Sequence, residues 1–344
     1  MFLGIEIGGT KLQLGVGLGD GSPLAALERF EVERAGGAAG IREQIAAAGS
    51  ALMARHPVQG IGIGFGGPVD PVAGRAIKSH HIDGWDGFPL AEWCREAFLL
   101  PAVVANDADT AGLAEARFGA GQGHRTVFYI TVGSGVGGAL IVAGRIHTGA
   151  VGIAAEIGHL RPGLQSDLPD LTVEAAASGW GIAATAQARL SGPISHPLGP
   201  WLHGRRRLKP EVVRQRLIES EEVEEEFAAD LRQRCDGRLD QLSAKIVGQA
   251  AADGNRLAEE IFHHAVQTLG WAVAQAITLV APEVVVIGGG VPLVGEALFF
   301  APLREEVDRY VFSPLKGTFA IVPATLGEEV VVHGALALAR SGKV

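Results

Sequence analysis

Four predicted strands of this 344-residue chain run directly into glycine. The strands and the glycine segments that follow them are 2–7 with 8–9, 60–65 with 66–67, 127–132 with 133–138, and 284–287 with 288–290. A glycine at the end of a strand leaves the backbone amides unobstructed, and a cluster of such amides binds phosphate without a basic side chain. This feature predicts a nucleotide site that is built from strand ends.

Helices are predicted between these strands, which indicates an α/β fold. The helical segments are 36–56, 90–100, 108–118 and 253–280, and the further strands are 12–16, 102–105 and 139–142. The composition agrees, with 49 glycines, 47% hydrophobic residues and only 19% charged residues. No repeat of fixed period is found, and at about 150 residues per domain the length predicts two domains.

The net charge of −9, from 29 basic and 38 acidic residues, excludes several classes of partner. A field of that sign repels nucleic-acid phosphates and anionic lipid, so neither is expected to bind. The first residues lack a signal-peptide pattern, and the most apolar segment, 271–287, is interrupted by Pro282 and Glu283, which predicts no membrane span. Two isolated cysteines, Cys94 and Cys235, fit a reducing compartment, and we expect a cytoplasmic protein.

Residues 191–240 interrupt the α/β pattern. They contain three consecutive arginines at 205–207 and an acidic run at 221–226. Because the two charge signs largely cancel, this segment is predicted to be a solvated helical insertion rather than a nucleic-acid patch.

Two common nucleotide motifs do not fit the glycine segments. Lys11 follows Thr10 instead of preceding a hydroxyl residue, so the chain has no P-loop. The pattern GxGxxG occurs at Gly62, Gly64 and Gly67 and again at Gly133, Gly135 and Gly138. A dinucleotide fingerprint must open a helix, whereas both of these segments are predicted to be turns between strands.

Six motifs occur in the order and spacing typical of the ROK sugar kinases. They are EIGGTK at 6–11, GPVD at 67–70, AND at 105–107, TVGSGVGG at 131–138, EIGH at 156–159 and VVVIGGG at 284–290. The chain resembles this family over its whole length except 191–240. The resemblance implies a two-domain actin-like (ribonuclease H-like) ATPase fold with a central cleft, and ATP-dependent phosphorylation of a hexose or N-acylhexosamine hydroxyl, as in glucokinases.

The resemblance also implies roles for individual residues. The nucleotide-binding residues would be Glu6, Gly8, Gly9, Thr10, Lys11, Thr131, Gly133, Ser134, Gly135, Gly137, Gly288, Gly289 and Gly290. The sugar-binding residues would be Gly67, His81, Asn106, Glu156, His159 and Glu174. Asp107 would be the general base. Phosphoryl transfer needs two positioned substrates, Mg²⁺ to neutralise phosphate charge and one group that accepts a proton, so this set is chemically sufficient.

The chain departs from the family pattern at three places. Glu6 stands where the first phosphate loop usually has aspartate, and His81 stands where an asparagine usually contacts the sugar. Many members bind zinc through three cysteines and the EIGH histidine, but no cysteine lies between His159 and Glu174. A structural zinc site needs four ligands, mostly thiolates. We therefore expect ATP and Mg²⁺ as cofactors and no zinc.

Several of these residues have a structural alternative. Asp107 precedes a predicted helix, where aspartate is a common N-cap, although the other motifs favour the base. Glu156 and His159 have the E-x-x-H spacing of half a di-iron site, but their glycine neighbours favour a ligand loop; Glu260 and His263 repeat the spacing on a predicted helix and are interpreted as a solvated face. Lys11 either contacts phosphate or is a surface lysine.

The resemblance divides the chain into two domains and leaves two alternative functions. Residues 1–107 with about 325–344 would form the smaller domain, and 108–324 the larger. A catalytically degenerate sugar-binding or scaffold protein is one alternative, motivated by Glu6 and His81. A ROK-type transcriptional repressor is the other, but only five residues precede Glu6, where a DNA-binding domain is expected. Partners are expected to be a sugar, ATP and a second copy of the chain in a homodimer.

Overall fold

The computed structural model describes residues 1–79, 82–163, 170–191 and 225–342. The first of its two large sheets has the order β3-β2-β1-β4-β7. Its strands are β1 (Phe2–Ile7), β2 (Lys11–Gly17), β3 (Ala26–Glu31), β4 (Ile61–Phe65) and β7 (Ala102–Asn106). β1, β2 and β3 form an antiparallel meander, and β4 and β7 continue the sheet in parallel from β1. A separate short hairpin consists of β5 (Val69–Asp70) and β6 (Arg75–Ala76).

The second large sheet repeats this arrangement, with the order β10-β9-β8-β11-β12. Its strands are β8 (Thr126–Val132), β9 (Val136–Val142), β10 (Arg145–Ile146), β11 (Val284–Gly288) and β12 (Ala320–Pro323). Again an antiparallel meander is followed by two parallel strands. The duplication leaves no fixed sequence period because the connection from β10 to β11 is far longer than that from β3 to β4.

Ten helices connect and cover the sheets in the described part of the chain. They are α1 (Gly37–Arg55), α2 (Leu90–Phe98), α3 (Asp107–Phe118), α4 (Val173–Ala177), α5 (Gly179–Ser191), α6 (225–234), α7 (Ala244–Ala252), α8 (Arg256–Val280), α9 (Ala301–Tyr310) and α10 (Val330–Ser341). None of the described helices is both long enough and apolar enough to cross a bilayer.

Helices α3 and α10 pack against each other and lie between the two sheets. α10 contacts β1 and β4 of the first sheet, whereas α3 contacts β8 and β9 of the second. The contact is close because glycine stands where backbones meet: a Cβ at Gly62 would lie 1.8 Å from Ala335 O, and one at Gly334 would lie 1.9 Å from Thr110 O. The two sheets are therefore joined through a glycine-lined interface.

This packing corrects the prediction that Gly62 and Gly64 form a turn. Both lie inside β4, where a side chain would collide with α10, and only Gly67 follows the strand. The prediction that Gly133 and Gly135 lie in a turn between two strands is confirmed, since they connect β8 to β9.

Two other elements differ from their predictions. The helix predicted over 253–280 begins at Arg256, because the Asn255 side chain caps it by accepting a hydrogen bond from Ala258 N. β3 was not predicted, because none of its residues is fully buried and it lacks the apolar alternation of the other strands. Residues 192–224 of the predicted insertion lie outside the described residues.

We expect Gly62→Ala to destabilise the protein by about 3 kcal/mol, because the added methyl group collides with the α10 backbone and one element must shift. Gly60→Ala is the matched control, since the nearest heavy atom to its Cβ would be 3.6 Å away. Urea unfolding of both variants measures the difference. Equal stability of the two variants would contradict the packing of α10 on β4.

Candidate active site

The carboxyl ends of β1, β4 and β7 lie side by side, and the candidate site is built on them. Gly66 N donates to Ile7 O at 2.8 Å, which holds the turn after β4 against the loop after β1. A Cβ at Gly66 would lie 3.4 Å from Asp107 Oδ2 and 3.3 Å from Gly8 Cα. The carboxylate of Asp107 therefore faces the first glycine loop.

Asn106 caps α3, so the structural alternative considered for Asp107, that of N-cap, is wrong. Asn106 Oδ1 accepts hydrogen bonds from Ala108 N at 2.8 Å and Asp109 N at 3.3 Å. Its Nδ2 donates to Gly67 O at 3.0 Å, so one N–H remains for a ligand. Asp107, the first residue of the helix, is not the N-cap. Its carboxylate accepts a hydrogen bond from Ala108 N at 2.8 Å.

The surroundings of Asp107 raise its pKa from 3.8 to about 7. Burial is the largest cause, because it disfavours the charged carboxylate, and the negative charges of Glu6 and Glu156 add to it. The hydrogen bond from Ala108 N acts in the opposite direction. A group with a pKa near 7 can both accept and release a proton at neutral pH, which is what a general base requires.

Asp109 is a second buried carboxyl group at this site, and the sequence analysis did not find it. Burial raises its pKa to about 8, with further contributions from Glu156 and Asp107. Asp109 therefore holds a proton at neutral pH. An aspartate in the first turn of a helix is a common surface feature, so only the apolar sequence of the rest of α3 could have indicated its burial.

Glu115, also missed, ties the other end of α3 to the segment before α10. It is fully buried and accepts hydrogen bonds from Thr325 N at 2.9 Å, Leu326 N at 2.8 Å and Ala120 N at 2.8 Å. Three backbone donors satisfy the carboxylate, so Glu115 fixes the helix rather than taking part in catalysis.

Glu6 lies at the end of β1, beside the turn of Gly9 and Thr10 that a hydrogen bond from Gly8 N to Lys11 O closes. Its carboxylate accepts from Gln13 Nε2 at 2.6 Å and pairs with Lys11 Nζ at 3.3 Å. Burial raises the pKa of Glu6 and is only partly opposed by Lys11 and Gln13. Lys11 is thus an ion-pair partner within the site rather than an isolated surface lysine.

The carboxylates of Glu6 and Asp107 fit the chemistry of Mg²⁺. Mg²⁺ prefers oxygen ligands and is usually held by one or two carboxylates together with substrate phosphates. The negative charge of Glu6 raises the pKa of Asp107, so a cation bound at Glu6 would lower it again. The additional methylene group of Glu6 leaves this donor set intact.

The second glycine loop, between β8 and β9, is held by Glu174. Gly133 N donates to Gly135 O at 2.9 Å, and Val136 N donates to Glu174 Oε2 at 2.8 Å. A Cβ at Gly135 would lie 2.5 Å from the same carboxylate oxygen. The structure therefore places Glu174 against this loop, where the sequence analysis had given it a sugar contact. Ser134, at the tip of the loop, is exposed.

The glycines after β11 lie next to the second loop. Gly288 pairs with Thr131, and a Cβ at Gly289 would lie 2.4 Å from Val132 O. Gly289 also has a φ of +98°, which favours glycine. Across the second sheet Thr131 pairs with Gly137. A Cβ at Gly290 would meet no heavy atom within 4 Å, so of these three glycines it is the one with open space beside it.

The two glycine-loop regions meet at the amino end of α3. A Cβ at Gly137 would lie 3.1 Å from the Cβ of Ala108, the residue after Asp107. The loop before His159 packs on β9, since a Cβ at Gly158 would lie 2.1 Å from Val136 O. Asp107 therefore stands where the first-sheet loops, the second-sheet loops and the Glu156 loop converge.

Glu156 and His159 are both exposed; Glu156 directly precedes the short 3₁₀ turn Ile157–His159, at the end of which His159 lies, and neither is on an α-helix. Glu260 lies on α8, mostly exposed, and pairs with Arg189 at 3.3 Å. Among the described residues, no group of three or more His, Cys, Asp or Glu side chains could hold a metal ion together. Within that part of the chain neither E-x-x-H pair belongs to a di-iron site.

Two residues that bear on the predicted site lie outside the described part of the chain. One is His81, and the other is Asp167, which lies in the segment where the zinc ligands of the family fall. Cys94 and Cys235 are buried free thiols, and burial raises the pKa of Cys94 to about 12. The absence of zinc remains a prediction, which elemental analysis of the purified protein tests.

The duplicated sheets, joined through α3 and α10, have the arrangement of the actin-like ATPase fold. The structure is similar to that of a ROK family glucokinase from Streptomyces griseus in complex with glucose and AMPPNP, with a TM-score of 0.76, 30% identity and coverage of 99% of both chains. The ROK family model matches residues 2–341. The chain therefore belongs to the ROK family.

Sequence relatives carry related names. A glucokinase of Thermotoga maritima is 29% identical over 98% of this chain and 96% of its own length. An N-acetylmannosamine kinase of Escherichia coli is 27% identical over 96% of this chain and 98% of its own length. A xylose repressor of Caldicellulosiruptor bescii is 26% identical, and the match covers 82% of this chain but 62% of the repressor.

We expect Asp107→Asn to gain stability relative to the wild type as the pH rises from about 4 to about 7. The folded wild type keeps a proton on Asp107 up to about pH 7, whereas the unfolded chain loses it near 3.8, so the wild type loses stability over this range. Asparagine has no such proton. Urea unfolding at several pH values measures the difference between the two proteins, and a difference independent of pH would contradict the raised pKa.

Proposed function

We propose that this protein transfers the γ-phosphoryl group of ATP to a hydroxyl of a hexose, with glucose as the first candidate substrate. The observation that carries this proposal is the carboxylate of Asp107, which has a pKa raised to about 7 and lies where the glycine segments of the two sheets converge. The names of the relatives, glucokinase and N-acetylmannosamine kinase, support a sugar as the acceptor.

In the proposed reaction the chain positions two substrates and moves one proton. The unobstructed amides of the glycine loops hold the nucleotide phosphates. Asp107 accepts the proton of the attacking hydroxyl as the new O–P bond forms and the bond from the γ-phosphorus to the bridging oxygen of ADP breaks, and its raised pKa matches this task near neutral pH. Glu6 would hold Mg²⁺, which when bound would supply neutralisation of the phosphate charge.

The sugar is proposed to lie over Asp107, within reach of Asn106 and the Glu156 loop. Asn106 keeps one amide hydrogen for a sugar oxygen, and Glu156 and His159 are exposed on the loop that packs on β9. A carboxylate accepts from a particular hydroxyl, so a wrong epimer leaves a polar group unpaired and binds less well. We propose that these residues set the choice of sugar.

The domain boundary is proposed to fall at the start of α3. The smaller domain would consist of residues 1–107, which carry the first sheet and the first phosphate loop. It would also include α10, from the end of the chain, which packs on that sheet. Residues 108–324 carry the second sheet and its loops. Closure of the cleft between them would exclude water, which prevents transfer of the phosphoryl group to water.

The direct test is ADP release from Mg·ATP in the presence of a panel of sugars: glucose, mannose, N-acetylglucosamine and N-acetylmannosamine. We expect glucose to give the highest kcat/KM. If no sugar raises ADP release above that seen with Mg·ATP alone, while a sugar still binds by calorimetry, the protein is a sugar-binding protein without turnover.

We expect Asp107→Asn to lower kcat by about 10²- to 10⁴-fold, because the general base is lost, while the sugar Kd stays within a few-fold. Asparagine keeps the Oδ1 atom that accepts from Ala108 N. Asp308→Asn, on the exposed end of α9, is the matched control and should leave kcat unchanged. A kcat for Asp107→Asn within a few-fold of the wild type would remove Asp107 from its proposed role.

A further inference from the structure

Gln13 and Lys11 hold the carboxylate of Glu6 from opposite sides. Gln13 lies directly across the β1–β2 ladder from Glu6 and is 1% exposed. Its Nε2 donates to Glu6 Oε2 at 2.6 Å and to Glu328 O at 3.0 Å, and its Oε1 accepts from Arg29 Nε at 2.8 Å. With both ends of its amide bonded, Gln13 cannot turn without breaking three hydrogen bonds.

Lys11 holds the other oxygen of Glu6 more loosely. Its Nζ lies 3.3 Å from Glu6 Oε1 and 3.1 Å from Glu328 O. The Lys11 side chain is 42% exposed, whereas that of Glu6 is 7% exposed. The pair therefore consists of a fixed, buried anion and a cation that can move into solvent.

A buried carboxylate without a positive partner is unstable, because it has lost its hydration and gained nothing in exchange. Any cation that reaches Glu6 Oε1 can replace Lys11, and the lysine regains hydration when it leaves. The oxygen that Lys11 occupies belongs to the group on which Mg²⁺ is expected to be held. Lys11 and a divalent metal ion therefore compete for the same oxygen.

We propose that Lys11 is the counter-ion of Glu6 in the nucleotide-free protein and that binding of the metal–nucleotide complex displaces it. In this exchange of the lysine for the metal ion, Gln13 is the positioning residue that keeps Glu6 Oε2 in place. The proposal rests on the proposed function, because that function supplies the metal–nucleotide complex. Once displaced, the ammonium group of Lys11 is free to approach the phosphates that bring the metal.

If Lys11 and the metal ion compete for Glu6, removing the positive charge of Lys11 should strengthen metal binding at Glu6. Titration of the full chain with Mn²⁺, followed by electron paramagnetic resonance of the free ion, measures metal binding without nucleotide or sugar. We expect Lys11→Met to lower the Mn²⁺ Kd by about two- to fivefold, the range of a partly exposed ion pair. Lys316→Met, at an exposed position in another part of the chain, should leave it unchanged.

Two further variants show whether the metal ion binds at Glu6 and whether Gln13 positions it. Glu6→Gln should abolish the gain that Lys11→Met produces, because no anion is left for either cation. Gln13→Leu in the Lys11→Met background should weaken Mn²⁺ binding again, with circular dichroism to confirm folding. An unchanged Mn²⁺ Kd for folded Lys11→Met, or a gain that persists with Glu6→Gln, would overturn the proposal.

This titration contains no sugar and no ATP, so its outcome does not depend on turnover. A protein that gains Mn²⁺ affinity with Lys11→Met but phosphorylates no sugar would retain the exchange and lose the proposed function. An active kinase whose Mn²⁺ affinity is unaffected by Lys11→Met would retain the function and lose the exchange.

Discussion

The site depends on the cap of one helix. Asn106 accepts from two amides at the start of α3 and donates to Gly67 O, which fixes the helix to the turn after β4. Because Asn106 does this, Asp107 can be the first helical residue and still face the glycine loops. At the other end Glu115 binds the backbone before α10, so α3 is fixed at both ends.

The packing of α3 and α10 explains how one carboxylate comes to face loops from two sheets. Both helices lie between the sheets, and glycines such as Gly62 and Gly334 allow backbone to approach backbone. In the first sheet β4 and β7 run parallel to β1, so the carboxyl ends of these three strands lie side by side. In the second sheet β11 runs parallel to β8, and the carboxyl ends of these two strands also lie side by side. A site at the carboxyl ends of parallel strands follows from this topology.

Much of the framework could be predicted from the sequence, because it is local. Strands such as β1 and β8 show as apolar runs ending in glycine, and the strand predicted at 102–105 and the helix predicted at 108–118 place Asp107 at the junction of β7 and α3, as observed. β3 has no buried alternation to reveal it. The duplication of the sheets could not be seen either, because the connections differ so much in length.

What the sequence could not provide is contact across long separations. The role of Glu174 against the second loop, the burial of Asp109, and the bonds from Gln13 and Lys11 to the carbonyl of Glu328 all join distant segments. Asp109 and Gln13 are equally consistent with a solvated surface in the sequence, and the motifs that include Lys11 and Glu174 do not indicate which distant groups these two residues contact. Only the packing of the two sheets shows that they are partners in one site.

The pH dependence of kcat/KM for the sugar tests the central claim most directly, since it reports the ionisation of the free enzyme. With Asp107 as a base whose pKa is raised to about 7, activity should rise tenfold per pH unit below that value and level off above it. A profile that is flat from pH 5 to pH 8 would contradict the account.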